Sequence, residues 1–500
     1  MTFEDALAQA MARPQDDDAL EELANLALEC AEEERALPLL QQAVRTRPSA
    51  RLLQWKALLE RALDRHDEAL LTFEAATAVA PNDAGIAHGL ARTALEAGVP
   101  AEVQYERALR IAPGNGEVLI GLTAARLAGG HGEQAERELA QILARYPEWV
   151  AGHMQLAQLR SMLGRSVDAA KSLESALTVS PASALLWSAL FELHTKREAF
   201  AELDAAVARV RSHGLGDELL FRYAAIAAAE RGRTDEADRL FTRWNDGTEI
   251  VWRIRHLLRS GRVAQALPVI DAGLSGGRAN EIWPYASIAW RLAADPRSRW
   301  LEGAGELVAV IDLAASLPPL DRLADALRVI HVSRGEYLDQ SVRGGTQTDG
   351  PLFSRIEPEI RALRAAVTPA VGDYVAKLPP IDERHPLLGP KRDRPIRFAG
   401  SWSVRLRGAG YHASHVHPQG WISSAFYVSL PETRSEANPH AGWLSLGAPP
   451  PGLGQTSVEP RYVEPKPGRL VLFPSWMWHG TVPFKEGERL TVAFDVAPPR

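Results

Sequence analysis

The sequence contains little of what several common classes of protein require. Only one of its 500 residues is a cysteine, Cys30, which excludes an internal disulfide framework and a cysteine-based zinc cluster. The formal net charge is −7 and basic runs are absent, so the chain lacks the positive footprint of nucleic-acid or anionic-lipid binding. No apolar run is long enough to span a bilayer, and the acidic N-terminus has no signal-peptide core. We expect a cytoplasmic protein without nucleic-acid or membrane partners.

The first part of the chain is rich in alanine, leucine, glutamate and arginine, and it repeats. Prolines recur at intervals of 33, 32, 34 and 34 residues, close to the 34 of a tetratricopeptide repeat: Pro48, Pro81, Pro113, Pro147 and Pro181. Twelve residues before each proline stands an alanine: Ala36, Ala69, Ala101, Ala135 and Ala169. Eight residues before each stands a bulky residue: Leu40, Phe73, Tyr105, Leu139 and Leu173.

This register has a simple packing explanation. The alanine lets two antiparallel helices approach closely, the bulky residue fills the gap to the next repeat, and the proline ends the second helix. Weaker copies continue beyond Pro181, so the sequence predicts an all-α tetratricopeptide-like solenoid over residues 1–315. Such arrays present a concave surface, which predicts a protein or peptide partner; a scaffold or dimerisation arm is the alternative.

The pattern changes from about residue 380. Prolines, glycines and aromatic residues become frequent, and residues 422–430, 469–473 and 489–496 are predicted to form short strands. This spacing favours an all-β sandwich or barrel, jelly rolls included. We therefore predict a connecting segment over residues 316–379 and a β domain over residues 380–500.

A polar, glycine-rich run, Gln340 to Gly350, lies in the connecting segment. It has two interpretations. It is either a plain connecting loop or a loop over the mouth of the β domain that places Gln340 and Arg343 in a substrate pocket.

Histidines concentrate near the end of the chain. His415 and His417 are two residues apart, which on a strand turns both imidazoles to one face, where they can chelate one metal ion. His479 follows after enough chain to return as a third ligand from another strand. Ten residues later Arg489 and Thr491 share one face of a predicted strand. A buried arginine must be paired, and a carboxylate would pair with it bidentately, with the Thr491 hydroxyl as a second donor.

These motifs resemble the double-stranded β-helix (jelly roll) of Fe(II)/2-oxoglutarate-dependent oxygenases. In that superfamily a His-x-Asp pair and a distal histidine bind iron, and an arginine about ten residues later binds the far carboxylate of the cosubstrate. More narrowly, the chain resembles a family of bacterial and phage oxygenases with a His-x-His-Pro motif, matched by His415 to Pro418, and a glycine-led strand that reaches a histidine, matched by Gly468 to His479. Members fused to tetratricopeptide repeats carry a stretch like Gln340 to Thr348.

The resemblance implies that Fe(II) and 2-oxoglutarate are the cofactors. It makes His415, His417 and His479 the metal ligands, and Arg489 and Thr491 binders of the cosubstrate. Tyr427 follows His415 by twelve residues, where members place a tyrosine against the cosubstrate; ordinary core packing is its alternative. Trp476 and Trp478 flank the distal histidine and are expected to wall the substrate pocket.

His417 is a departure from the superfamily, because it stands where the usual triad has a carboxylate. Three imidazoles would also suit zinc or copper, and His417 could instead lie outside the metal's own ligands. The leading hypothesis is a dioxygenase whose chemistry resides in the metal centre and which hydroxylates a protein or peptide recruited by the repeats. The alternatives are a non-catalytic scaffold with a degenerate β domain, and a cupin-like three-histidine metalloenzyme that does not use 2-oxoglutarate.

Overall fold

The structure is a computed structural model and describes residues 1–210, 217–244, 246–303, 305–338, 341–431, 438–454 and 458–499. The chain divides into two compact units. Unit 1 comprises Met1–Arg137 together with Asp349–Arg364, and unit 2 comprises Glu138–Thr348 together with Ala365–Pro499.

Helices fill the first three hundred residues. The helices that begin before residue 138 are α1 Phe3–Ala12, α2 Asp17–Cys30, α3 Glu33–Thr46, α4 Ala50–Ala62, α5 His66–Val79, α6 Ala84–Glu96, α7 Glu102–Ile111, α8 Gly116–Ala128 and α9 Gly132–Arg145. The helices that follow are α10 Val150–Met162, α11 Lys171–Val179, α12 Ala184–Lys196, α13 Phe200–Val210, α14 Asp217–Glu230, α15 Thr234–Arg243, α16 Ile250–Arg259, α17 Val263–Leu274, α18 Ala279–Leu292 and α19 Arg297–Glu302. Two more helices, α20 Leu320–Ile330 and α21 Pro358–Lys377, come later. None of the helices in the described part of the chain is long and apolar enough to cross a membrane.

The register predicted from the prolines matches the helix ends. Helices α3, α5, α7, α9 and α11 each end two residues before one of the five prolines, as α5 does at Val79 before Pro81. The alanines and the bulky residues of the register are all buried. The helical repeat array is therefore confirmed, and its core lies between neighbouring helices as a solenoid requires.

One contact shows how closely these helices pack. The Tyr105 ring of α7 lies against Gly121 of α8, where an added Cβ atom would come within 2.1 Å of the ring. Glycine costs helix stability, about 1 kcal/mol relative to alanine. Here it leaves the space that the bulky residue of the repeat occupies.

Among the residues that the structure describes, nine strands form two antiparallel sheets. The strands are β1 Ala309–Asp312, β2 Val342–Gln347, β3 Phe398–His412, β4 Ile422–Ser429, β5 Leu444–Leu446, β6 Arg461–Val463, β7 Arg469–Pro474, β8 His479–Thr481 and β9 Glu488–Val496. The larger sheet has the order β1-β7-β4-β9-β3-β2 and the smaller one has the order β6-β5-β8. We call these two sheets the β-region.

The predicted fold class, a helical repeat array followed by a strand-rich region, is confirmed. The three predicted strands are present as β4, β7 and β9. The jelly-roll topology and the boundaries at residues 315 and 380 stay predictions. The larger sheet takes its two edge strands, β1 and β2, from residues before 380.

The glycine-rich run is not the loop that the sequence predicted. Residues 342–347 form β2, which pairs with β3 around an irregularity between Arg343 and Gly345. A Cβ atom on Gly345 would lie 2.5 Å from the Arg405 carbonyl oxygen, so the lack of a side chain permits close pairing. Glycines usually weaken strands, but here they let one edge of the sheet approach its neighbour.

Within unit 2 the last repeats pack directly on the β-region. The indole Nε1 of Trp478 donates to the Pro284 carbonyl at 2.9 Å, and its ring meets Tyr285 edge-on with centroids 5.6 Å apart. Arg291 donates to the Gly447 carbonyl. Helix α18 is thereby fixed against the end of the strands that carries the candidate site.

Candidate metal centre

Three histidines converge at one end of the β-region. His415 and His479 form a short antiparallel bridge, with two backbone N–H···O hydrogen bonds of 3.0 Å. Their ring centroids lie 4.2 Å apart, and His417 lies 5.0 Å and 5.1 Å from them. One ring nitrogen from each of the three lies within 4.8 Å of the others, close enough to hold a single ion.

The local backbone differs from the prediction in one respect. His415 and His417 follow the end of β3 at His412, and they lie in an extended connection rather than on a regular strand. The His417 backbone N–H donates to the Ser475 carbonyl at 3.0 Å, which ties the connection to the turn before His479. The expected convergence of the imidazoles is thus produced by the bridge and this hydrogen bond.

Hydrogen bonds fix the tautomers of all three rings. The Nδ1 atoms of His415 and His479 each lie beside the carbonyl oxygen two residues earlier, at 2.9 Å and 3.0 Å. The Nδ1 atom of His417 lies 2.6 Å from Asp495 Oδ2. Because these partners are acceptors, Nδ1 carries the proton and Nε2 keeps its lone pair for a metal. The Nε2 atom of His417 is buried and has no hydrogen-bond partner within the described part of the chain.

The electrostatic environment keeps the imidazoles of His415 and His479 neutral. Burial, reinforced by repulsion from His417, lowers the pKa of His415 to about 3. Burial also holds the pKa of His479 well below its ordinary value. Neutral imidazoles are the form that binds metals, so His415 and His479 can take up a divalent ion at neutral pH without first releasing protons.

Asp495 supplies a carboxylate that contacts the His417 ring and is not part of the three-histidine group. It is a different residue from the carboxylate of the usual triad, whose place in the sequence is taken by His417. Asp495 accepts from His417 through Oδ2 and from the Ser423 hydroxyl through Oδ1, at 2.6 Å each. Trp402 stacks on the His417 ring, with centroids 5.4 Å apart and planes 6° apart. The sequence indicates no role for Asp495, although Asp495 and Arg489 point to the same face of β9.

We expect Asp495→Asn to weaken metal binding by about 10- to 100-fold, because a neutral amide no longer raises the basicity of His417 or fixes its tautomer. Affinity is measured by competition with a chelator, and the ¹⁵N shifts of His417 report the tautomer. Asp312→Asn is the matched control, since Asp312 is an exposed carboxylate that pairs with Arg469 at 2.8 Å. Equal affinities in the wild type and the Asp495 variant would contradict the assigned role.

The side chain of Arg489 is a buried cation near the start of β9, whereas Asp495 lies near its end. Arg489 is 2% exposed, and its Nε donates to the Gly442 carbonyl at 3.2 Å. Its guanidinium carbon lies 5.1 Å from the centre of the Tyr427 ring. No carboxylate within the described residues pairs with Arg489, and burial lowers the pKa of its guanidinium. A buried, uncompensated guanidinium is a site for an anion.

The sequence places His412 three residues before His415, off the face that His415 and His417 share, which predicts a surface group or one outside the metal ligands; in the structure it lies near this cation. Burial, followed by the charges of His415 and Arg489, holds the pKa of His412 well below its ordinary value. Its Nε2 atom is enclosed and has no partner in the part of the chain that the structure describes. The available signal was its position at the end of β3, one strand from Arg489.

A pocket opens on the other side of His417. Its walls include Trp283, Pro386, Pro418, Trp421 and Trp476, and its enclosed volume is about 120 Å³. Small-molecule pockets measure roughly 300–1,000 Å³, so this one is smaller than most of them. Trp283 belongs to α18, so the repeats and the β-region of unit 2 build this pocket together.

The remaining predicted residues have the following places. Trp476 lines this pocket, whereas Trp478 lies against α18 and does not. The Thr491 hydroxyl faces the Val404 carbonyl oxygen at 3.5 Å. Arg343 lies on β2, near enough for its charge to lower the pKa of His415. Gln340 lies outside the described residues.

Comparisons with known proteins agree with this division. The model of the family described as "Putative 2OG-Fe(II) oxygenase" matches residues 400–495, and a tetratricopeptide repeat model matches residues 100–159. No curated protein matches the chain.

Several solved structures are similar to parts of the chain. A tetratricopeptide repeat protein from Parabacteroides merdae ATCC 43184 is 18% identical, over 45% of this chain and 91% of its own, with a TM-score of 0.30. A prolyl-4-hydroxylase from Pseudomonas putida is 17% identical, over 41% of this chain and 98% of its own, with a TM-score of 0.27. YrrB, a tetratricopeptide repeat protein with an unusual peptide-binding site, is 17% identical, over 36% and 95%, with a TM-score of 0.29. By the family models, the chain carries a tetratricopeptide repeat region and, over residues 400–495, a domain of the 2OG-Fe(II) oxygenase family.

Proposed function

We propose that the protein is an Fe(II)/2-oxoglutarate-dependent dioxygenase that hydroxylates a protein or peptide. The observation that carries the proposal is a three-histidine group on the same side of the sheet as a buried arginine without a carboxylate partner in the described residues. The oxygenase family implies Fe(II) and 2-oxoglutarate, and the donor set suits a divalent ion. A metal site without an anion site would not require Arg489.

The chain's own residues would divide the work. His415, His417 and His479 hold Fe(II) through Nε2, and Asp495 and Trp402 orient His417. Arg489 binds the far carboxylate of 2-oxoglutarate, with Tyr427 and Thr491 beside it. When bound, iron and cosubstrate supply oxidation by O₂, which converts a C–H bond to C–OH and releases succinate and carbon dioxide. The walls of the site exclude water and orient the substrate.

The repeat array supplies the reason for a macromolecular substrate. Solenoids of this kind bind extended segments of other proteins on their concave surface. In unit 2 helix α18 of the last repeats lines the pocket beside His417. A peptide bound to these repeats can therefore enter the pocket next to a metal ligand.

One observation favours a different function. An all-imidazole donor set is also typical of metalloenzymes that do not use 2-oxoglutarate, and of sites that bind zinc. A non-catalytic β-region on a repeat scaffold is the further alternative. Arg489 separates these functions, because neither alternative needs a buried cation.

Anaerobic titration tests the proposal. Fe(II) and then 2-oxoglutarate are added to metal-stripped protein while the visible spectrum is recorded. A charge-transfer band is expected only when both are present, and His479→Ala should abolish it. His440→Ala is the matched control, since His440 stacks on Tyr462 outside the metal group. Retention of tight zinc without a band would overturn the proposal.

A further inference from the structure

We infer that the primary substrate is a peptide that presents an uncharged apolar side chain, of about the size of proline or valine, to the pocket beside His417. The inference rests on the proposed function, because it names the substrate of the same metal centre. It concerns a different surface, however, and its experiment requires neither iron nor 2-oxoglutarate.

The pocket lies at the end of the site that the cosubstrate would leave free. Arg489 and Asp495 are six residues apart on β9, which places them roughly 20 Å apart along the strand. Asp495 holds His417, and Gly420 on the pocket wall lies against Asp495, since an added Cβ atom there would come 3.3 Å from Asp495 Cβ. A dicarboxylate that reaches from the metal towards Arg489 therefore extends away from this pocket.

The chemistry of the walls favours an uncharged occupant. Three tryptophans and four prolines contribute to the lining, and none of the lining residues among those described is charged. A charged side chain would lose its hydration here without gaining a partner, at a high cost. A cationic side chain would also be repelled by a divalent metal held by three neutral imidazoles. Aliphatic and proline side chains instead bury their surface against indole faces.

Its construction indicates a peptide rather than a free small molecule. Asn280 and Trp283 from α18 form one wall, and Asn280 is exposed, so its amide is available to a peptide backbone. The enclosed volume of about 120 Å³ suits one small side chain, so the flanking peptide backbone would lie across the mouth, beside Asn280. Because Trp478 holds α18 against the β-region at Pro284, this wall keeps a fixed position relative to His417.

The experiment measures binding of blocked heptapeptides, Gly-Ser-Gly-X-Gly-Ser-Gly, to the metal-free full-length protein by saturation-transfer NMR. We expect the proline and valine peptides to bind at least about fivefold more tightly than the lysine and glutamate peptides. Saturation should be strongest on the side chain of X. Equal binding of all four peptides would overturn the inference.

Variants locate the binding. Trp283→Ala should weaken the proline peptide at least about fivefold and Trp283→Phe should restore most of the loss. Trp252→Ala is the matched control, because Trp252 is a half-buried tryptophan of α16 outside the pocket. Equal losses in the two alanine variants would contradict the site.

A negative charge introduced at the exposed Asn280 tests the same wall without changing the core. Asn280→Asp should raise the affinity for the lysine peptide above that for the glutamate peptide; an unchanged order would contradict the placement of Asn280. Peptide selectivity without a charge-transfer band would retain the pocket and reject the oxygenase. A charge-transfer band with no peptide selectivity would retain the oxygenase and reject the peptide pocket.

Discussion

Replacement of Arg489 by methionine is expected to abolish 2-oxoglutarate binding at ordinary cosubstrate concentrations and to leave Fe(II) binding intact. Removal of one partner from a buried, hydrogen-bonded charge pair costs about 2–5 kcal/mol of binding free energy. That range corresponds to a roughly 30- to 5,000-fold loss of affinity. Isothermal titration of 2-oxoglutarate into the metal-loaded protein measures the loss, and chelator competition measures the metal.

The same variant should behave unusually in the absence of ligands. Arg489 is buried and has no carboxylate partner in the described residues, so its charge destabilises the ligand-free fold. Arg489→Met should therefore leave the melting temperature unchanged or raise it, while the stabilisation that 2-oxoglutarate gives the wild type disappears. A purely structural arginine would give the opposite sign, with a lower melting temperature and normal cosubstrate binding.

The matched control is Arg405→Gln. Arg405 lies on the neighbouring strand β3 and pairs with Glu488, with Nε 2.5 Å from Oε2. The Arg405→Gln variant removes an arginine of the same sheet from an existing ion pair. It should therefore change the affinity for the cosubstrate by less than about threefold. A comparable loss in both variants would mean that long-range charge, rather than contact at Arg489, governs binding.

The second large effect is expected from cutting the chain. A fragment of residues 380–500 should not unfold cooperatively or bind metal, because it lacks both edge strands of the larger sheet, β1 and β2. Their loss exposes the edges of β7 and β3, and the loss of α18 exposes the apolar surface around Trp478. A fragment of residues 138–500, which retains all of unit 2, should keep a cooperative transition and metal affinity close to that of the full chain.

Thermal unfolding followed by near-ultraviolet circular dichroism, with chelator competition, measures both fragments. A cooperative transition in the shorter fragment, with metal affinity within about threefold of the full chain, would contradict the expectation. Loss of folding in both fragments would place the dependence in unit 1 instead.

Local patterns predicted the parts of this fold that local physics determines. The alanine–bulky–proline register fixes helix ends, since each proline acts on its own turn, and the register matches α3 to α11. Period-two alternation similarly identified β4, β7 and β9. β1 was missed because it is only four residues long, and β2 because its polar, glycine-rich sequence has no alternation of apolar residues.

The same distinction between local sequence patterns and long-range contacts applies to the candidate site. The spacing of His415 and His417 and the position of His479 predicted the metal group that the structure brings together. Those spacings could not reveal the hydrogen bond that His417 donates to Asp495, which joins residues 78 positions apart. Nor could they show that a helix of the repeat array walls the pocket, because that wall depends on tertiary packing.

The place of β9 in the larger sheet has a consequence for synthesis. It follows β3, β4 and β7 along the chain, yet it lies in the interior of the sheet between β4 and β3. While the ribosome is still adding residues 488–496, β4 and β7 cannot join β3, although the repeats can already fold from local contacts as they emerge. Nascent chains therefore expose the edges of β4 and β3 that pair with β9 until this segment is released, and before it is synthesised they have neither Arg489 nor Asp495. The proposed site is therefore complete only after translation has passed β9.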